Sequence, residues 1–365
     1  MCRTLRSGFP PTLRVTRWIS RKEVAVPRNL PDLVRLFDSL TAPSMDVGAG
    51  RFSVLPVPGI AACAVGKDVS GLPVLVIETD AAEPRGTTAP LVLEHLSVLH
   101  NVDCRFQQDN AEFATRRLSV IRCCDSERVF HEYFLRALIP VLCSLPATPS
   151  RQNVVTAVNT LVALFSRAMQ PPRKTVLGLW AELFLICQSR DPARLIRCWH
   201  AVPEDRFDFA DGPQRIEVKA ASGRVRIHTF ALEQVRPPDC CVAIVASITV
   251  EHSAGGQTIT DLLDEIRLVV GQPEMLIRLD SVVSQTMGTE WRQANTIAFD
   301  RQLAKDSLRF FDARDIPSVA TNLPPEVSDV HFRVDLTQQP PATPLVLAAH
   351  GNLILAATAA ADSVD

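Results

Sequence analysis

The sequence predicts an α/β protein in which a domain of mixed α and β pattern follows a smaller α+β, β-rich N-terminal domain. Three observations predict this. Between residues 27 and 150, short β-like runs alternate with Pro and Gly clusters. Residues 206–220 have the alternation and central turn of a hairpin. Cys240–Val250 is rich in β-branched residues and reads as a buried central strand, with two helical patterns after it.

In chain order, the first 22 residues carry Arg3, Arg6, Arg14, Arg17, Arg21 and Lys22 with no acidic residue. Residues 1–26 therefore read as a basic, disordered extension, and no apolar segment follows the charges as a secretory signal requires. Residues 27–150 form the N-terminal domain. It opens with a helix over Leu30–Leu40, where Leu33, Leu36 and Phe37 recur at helical spacing. β-like runs follow at Arg51–Val57, Leu72–Ile77, Leu91–Leu99 and Phe113–Cys123, then helices at Glu127–Leu145 and Asn153–Met169. Residues 151–172 read as a connecting helix closed by Pro171-Pro172, which sets the domain boundary.

The second domain, 173–336, begins with a strongly apolar helix over Leu177–Cys187 and a second helix over Pro192–Trp199. Strands are expected at Arg206–Ala210, Gln214–Ala220, Arg224–Thr229 and Cys240–Val250. Helices at Thr258–Val270 and Glu274–Ser284 follow, then β-like pieces at Thr296–Phe299, Leu308–Asp312 and Val330–Leu336. Residues 337–365 are rich in Pro and Ala and read as a loose tail.

Composition narrows the function classes only modestly. A formal charge of −2 argues against a protein that is basic all over, but a local basic groove is compatible with it. The ten cysteines form no C-x-x-C pair, and two pairs are adjacent residues, which suits neither a zinc knuckle nor a disulfide scaffold. They read as free thiols in a reducing cytoplasm. No apolar stretch reaches the roughly 18 residues of a membrane-spanning helix. The run Leu345–Ala361 is broken by His350-Gly351-Asn352.

The chemistry concentrates in residues 206–220. Asp211-Gly212-Pro213 is a turn, so its flanks should pair as a hairpin. Alternation then puts Ile216, Val218 and Ala220 on one face and Arg215, Glu217 and Lys219 on the other. Phe207 and Phe209 face the core on the first strand, which leaves Asp208 beside Glu217 and Lys219. Two carboxylates can bind a hard divalent cation that keeps several waters. Such a cation polarises a phosphoryl oxygen and acidifies water, and Lys219 can orient that water or neutralise developing charge. The backbone carbonyl of Val218 is a candidate third ligand. Taken alone, Glu217-x-Lys219 is also what a solvated edge strand looks like.

Glu182 lies within Gly178-Leu-Trp-Ala-Glu-Leu-Phe-Leu-Ile186, with apolar neighbours three and four residues away on both sides. A carboxylate buried there needs a cation, a metal or a hydrogen-bond partner. It reads as an accessory acid of the site or as a side chain reaching solvent from a half-buried helix.

Together, Gly-Leu-Trp-Ala-Glu-Leu, Trp199, Phe207-Asp208-Phe209 and Ile216-Glu-Val-Lys219 resemble the PD-(D/E)XK nuclease superfamily. More narrowly they resemble a bacterial family named for that motif, whose genes often accompany phage-defence and restriction modules. Arg226-Ile-His228 followed by Gln234 is similar to that family's third strand and Gln-bearing helix. Phe207 stands where the superfamily's name puts proline. The resemblance implies a restriction-endonuclease-like core, a mixed sheet flanked by helices, with Asp208 and Glu217 as metal ligands for Mg²⁺ or Mn²⁺. It further implies that Lys219 assists the attacking water and that Glu182 supports the site.

Arg224, Arg226 and His228 share one face by alternation, either as a ridge for DNA phosphates or as a solvated strand face. Gln234 reads as a contact to the site or DNA, or as an ordinary surface residue. Other chemistries lack their parts. His131-Glu132-Tyr133 has no second His of a zincin helix, Gly66-Lys67 lacks the upstream Gly of a P-loop, and no G-x-S-x-G occurs. The expectation is a cytoplasmic, metal-dependent DNA endonuclease of a restriction or phage-defence system. Its N-terminal domain would bind DNA or partner proteins, and it would have no membrane segment. A homodimer would suit double-strand cutting. The alternatives are a catalytically silent nucleic-acid-binding or assembly subunit, and a protein-interaction subunit.

Overall fold

The computed structural model describes residues 13–15, 32–44, 51–79, 91–93, 95–107, 113–168, 175–200, 205–223, 225–293, 296–319, 324 and 326–358. Two compact units divide between Ser166 and Arg167.

The first unit contains β1 (Leu13–Val15), α1 (Leu33–Asp38), β2 (Arg51–Pro56), β3 (Cys63–Asp68), β4 (Pro73–Glu78), β5 (Leu91–Val92), β6 (Leu96–Gln107), β7 (Phe113–Cys123) and α2 (Arg128–Cys143). α3 (Arg151–Ala168) ends it and runs across the division. The strand order is β1-β2-β3-β4-β7-β6-β5, and β1 also pairs with β6, so six strands close on one another. Both pairings of β1 are parallel. Alternate residues line one face of this sheet: Phe52 and Val54, Ala64, Val74 and Val76, Leu118 and Val120, with Leu99 and Cys104. β6 keeps this parity through an extra residue between Leu99 and Val102, where Asn101 takes φ 52° and the register shifts. α1 starts at Asp32, whose Oδ1 accepts the Arg35 N–H at 3.0 Å, and packs on α2 and β3.

Residues 1–26 are thus not wholly an extension, because Leu13–Val15 is a strand; the rest of that segment lies outside the described residues. β3 also departs from expectation. Its Gly66-Lys67 interrupts an otherwise apolar run, and a Cβ at Gly66 would stand 2.5 Å from the Ser53 carbonyl oxygen of the paired strand.

The second unit has a four-stranded sheet in the order β14-β11-β9-β8, where β8 is Phe209–Asp211, β9 Gln214–Ala221, β11 Val242–Thr249 and β14 Arg309–Asp312. β11 runs parallel to β9, and both edge strands are antiparallel to their neighbours. α4 (Val176–Gln188) is capped by Thr175, whose Oγ1 accepts the Gly178 N–H at 3.2 Å. It is apolar on nearly every side and correspondingly buried, packing on β9, α5 (Pro192–Cys198), α7 (Ile259–Val269) and α8 (Pro273–Met287).

The Glu217 face of the sheet is covered differently. β10 (Ile227–Ala231) pairs with β15 (His331–Asp335), and the short α6 (Leu232–Val235) follows β10. Their Phe230, Val235 and Val334 pack with Val245, Phe311, Ile316 and Leu336. Val245 lies directly opposite Glu217, and Phe311 opposite Val245, so all share one face.

Four further elements, the strand His252–Thr258 and the helices Arg301–Ser307, Pro344–Ala349 and Asn352–Ala357, differ from the sequence expectation. β12 (His252–Thr258) pairs with β13 (Ala298–Phe299), and α9 (Arg301–Ser307) follows, capped by Asp300 at 2.9 Å from the Leu303 N–H. In place of a loose tail, α10 (Pro344–Ala349) and α11 (Asn352–Ala357) are helical, and Leu353, Ile354 and Ala357 are buried. The Leu353 N–H donates to Gln214 Oε1 at 2.7 Å, which fastens α11 to the start of β9.

Candidate active site

The site grows from the β8–β9 hairpin. Asp211 pairs with Gln214 across Gly212-Pro213, and Gly212 takes φ 55°, a value that L side chains rarely adopt. Pairing ends at Phe209↔Ile216, so β9 outruns its partner. Beyond that point the Asp208 side chain replaces the missing strand: its Oδ2 accepts the Val218 N–H at 2.7 Å. The N–H and C=O of one strand residue point to the same side. The Val218 carbonyl therefore opens on the same edge as Asp208.

Asp208 and Glu217 are each 6% exposed. Glu217 Oε1 lies 2.7 Å from Lys219 Nζ. The ammonium also donates to Gln234 Oε1 at 3.2 Å and stands 5.2 Å from the centre of the Phe230 ring. Glu217, Lys219 and Gln234 are thus in direct contact, with Asp208 joined to them through the Val218 amide.

Glu182 is buried on α4, and its Oε2 accepts the Trp199 indole N–H at 2.7 Å. The same oxygen lies 3.4 Å from His200 Nε2, and the His200 backbone N–H donates to the Asp208 carbonyl at 2.7 Å. Trp199 is held by stacking on Phe209 and by Arg278, which donates to the Ile196 and Trp199 carbonyls at 2.8 and 2.5 Å. Glu182 is therefore linked to Asp208 through His200.

Of the phosphate ridge expected on the third strand, the two described members, Arg226 and His228, turn inward. His228 is 3% exposed, and its Nε2 sits 2.8 Å from Ser247 Oγ. Burial, then the charges of Lys219 and Arg226, push its pKa down to about 4, with Asp335 acting weakly the other way. Arg226 spends its guanidinium on Ser247 Oγ at 2.8 Å and on the carbonyls of Ser247 and Ser307. Both side chains share the inward parity of Phe230, while Val225, Ile227 and Thr229 are exposed. Arg224 lies outside the described residues.

His200 and Ser247 escape sequence reasoning. A histidine beside a tryptophan follows no spacing rule. Ser247 does carry a signal, as a hydroxyl inside a strand otherwise fully apolar over Ala243–Ile248, where a buried polar group needs a partner.

Among the described residues no group of three or more His, Cys, Asp or Glu side chains is arranged to hold a metal ion. The donor set that remains is two buried carboxylates, Asp208 and Glu217, with the Val218 carbonyl. These are hard oxygen donors, and magnesium is commonly held by one or two carboxylates while keeping several waters. The residues present fit such a cation.

A family model described as "Putative PD-(D/E)XK family member, (DUF4420)" matches residues 35–337. No curated protein and no solved structure matches the chain. Among the described residues no helix is long and apolar enough to cross a membrane.

Proposed function

The chain belongs to this family of PD-(D/E)XK proteins, and from that premise we propose that it is a metal-dependent endonuclease hydrolysing DNA phosphodiester bonds. The observation that carries the reading is the edge of β9 beyond Ile216, which no strand pairs among the described residues. There Asp208 caps the Val218 amide, and Glu217 lies against the Lys219 ammonium.

Asp208, Glu217 and the Val218 carbonyl would hold Mg²⁺ or Mn²⁺. When bound, the cation supplies Lewis-acid polarisation of a phosphoryl oxygen and of the attacking water. Asp208 stays aimed because the Val218 N–H fixes one of its oxygens. Lys219 is a compact positive charge that orients the attacking water and stabilises negative charge gathering on the phosphoryl oxygens. Its contacts with Glu217 and Gln234 restrict an otherwise flexible stem. Glu182, held by Trp199 and His200, supports the segment that carries Asp208.

Partner proteins of a restriction or phage-defence system, and a homodimer whose two-fold pairs the sites for double-strand cutting, complete the reading. The free thiols suit a cytoplasmic setting. The test is cleavage of plasmid, linear and single-stranded DNA with Mg²⁺ or Mn²⁺. Asp208→Asn and Lys219→Met are expected to abolish it. Cutting that persists in both variants would overturn the assignment. Cation and DNA binding without cutting would favour a silent nucleic-acid-binding subunit.

A further inference from the structure

We propose that Gln234 is a positioning residue of the hydrolytic site, joining the Lys219 ammonium to the Asp208-bearing segment, and is not a DNA contact. The inference rests on the nuclease reading for its consequence and on side-chain geometry for its substance.

A glutamine amide offers two lone pairs on oxygen and two N–H donors. Gln234 Oε1 accepts from Lys219 Nζ at 3.2 Å and from the Ala231 N–H at 3.1 Å. Nε2 donates to the Arg206 carbonyl at 2.9 Å. The amide orientation is thereby determined, because a flipped group would set N–H donors against an ammonium and an N–H, and oxygen against a carbonyl. Three of four hydrogen-bonding positions are committed within the protein, which leaves little for a base or a phosphate.

The partners belong to three separate segments. Lys219 is on β9, Ala231 ends β10 at the start of α6, and Arg206 lies two residues before Asp208. The neighbouring residue of α6 reinforces the last of these, since Glu233 Oε1 holds Arg206 Nη1 at 2.5 Å. α6 therefore grips residue 206 by its backbone and its side chain. Phe230, on the strand leading into α6, presents its ring to the same ammonium. Lys219 is thus held by Glu217, Gln234 and Phe230 together, and a shift of the 206 segment would reach it through one amide.

The test compares wild type with Gln234→Met, which keeps the length but none of the three bonds, and Gln234→Glu, which keeps both acceptor contacts but cannot donate to Arg206. The first readout is acylation of Lys219 by an N-hydroxysuccinimide ester in the folded protein, followed by mass spectrometry with exposed Lys305 as internal control. Lys219 should react several-fold faster in Gln234→Met and no faster than wild type in Gln234→Glu, whose added carboxylate favours the protonated amine, with Lys305 unchanged in all three. The second readout separates rate from binding. Single-turnover cleavage at saturating DNA should fall about 10–100-fold in Gln234→Met, the range for outer partners of active-site groups, with DNA affinity unchanged. Lys219 acylation that is unchanged in Gln234→Met would overturn the proposal. So would weakened DNA affinity with an unchanged saturating rate. A wild-type protein that cuts no DNA would count against the nuclease reading alone, and the acylation comparison would still decide the role of Gln234.

Discussion

Replacing His228 by glutamine should remove a loss of stability that the wild-type protein undergoes on acidification. His228 faces Lys219, Arg226 and Asp335, and its Nε2 meets Ser247 Oγ in a buried setting. Folding lowers its pKa from 6.5 to about 4, because burial and two neighbouring cations disfavour the imidazolium. Above pH 6.5 both folded and unfolded chains hold it neutral, so the group makes no pH-dependent contribution. As pH falls below 6.5 the unfolded chain takes up a proton that the folded chain refuses, and stability declines until about pH 4. At about 1.4 kcal/mol per pK unit the whole interval corresponds to roughly 3–4 kcal/mol, with somewhat under half of it lost by pH 5.5 and most of it by pH 4.5. Other titrating groups contribute to both proteins and cancel in the difference. Urea unfolding of wild type and His228→Gln at pH 7.5, 5.5 and 4.5 measures it. The wild type should lose the larger share of stability at each step. Parallel losses in the two proteins would refute the buried, neutral imidazole.

Two further perturbations test the framework around the site. Trp199→Phe keeps the stacking ring but removes the N–H that Glu182 accepts at 2.7 Å, so a buried carboxylate loses one donor. A cost of about 1–3 kcal/mol is expected from urea unfolding, whereas an unchanged midpoint would mean that the contact contributes nothing to holding Glu182. Gly256→Ala would drive a Cβ into the Phe299 carbonyl, where the obstacle is backbone. Hydrogen exchange should then show protection lost selectively at β12 and β13, and preserved protection there would contradict the close pairing.

The site's framework is more legible in the sequence than its surroundings because its signals are local. The Asp211-Gly212-Pro213 turn fixes the hairpin register within a few residues, and alternation follows from it. The apolar run of β11 announces burial without any partner being known. β10 shows where such signals stop. Both parities of the segment from Val225 through β10 carry apolar residues, Val225 and Ile227 on one and Phe230 on the other, so polarity alone assigns the wrong face outward. Arg226 and His228 can face inward because Ser247 and Ser307, distant in sequence, supply hydrogen-bond partners. β12, with the sequence His-Ser-Ala-Gly-Gly-Gln-Thr, has no hydrophobic period at all. It is specified by the close approach of Gly256 to the Phe299 backbone. The C-terminal helices are hidden by composition. Prolines such as Pro340, Pro341 and Pro344 and the alanine-rich runs look alike whether or not Leu353 and Ile354 find a surface to bury against.

The central claim is that Asp208 and Glu217 hold one divalent cation between them. Titration calorimetry with Mn²⁺ on the wild-type protein, without DNA, tests it most directly. One cation should bind per chain, with affinity falling about tenfold or more in both Asp208→Asn and Glu217→Gln and retained in Lys219→Met. Affinity that is unchanged in both carboxylate variants would contradict the account.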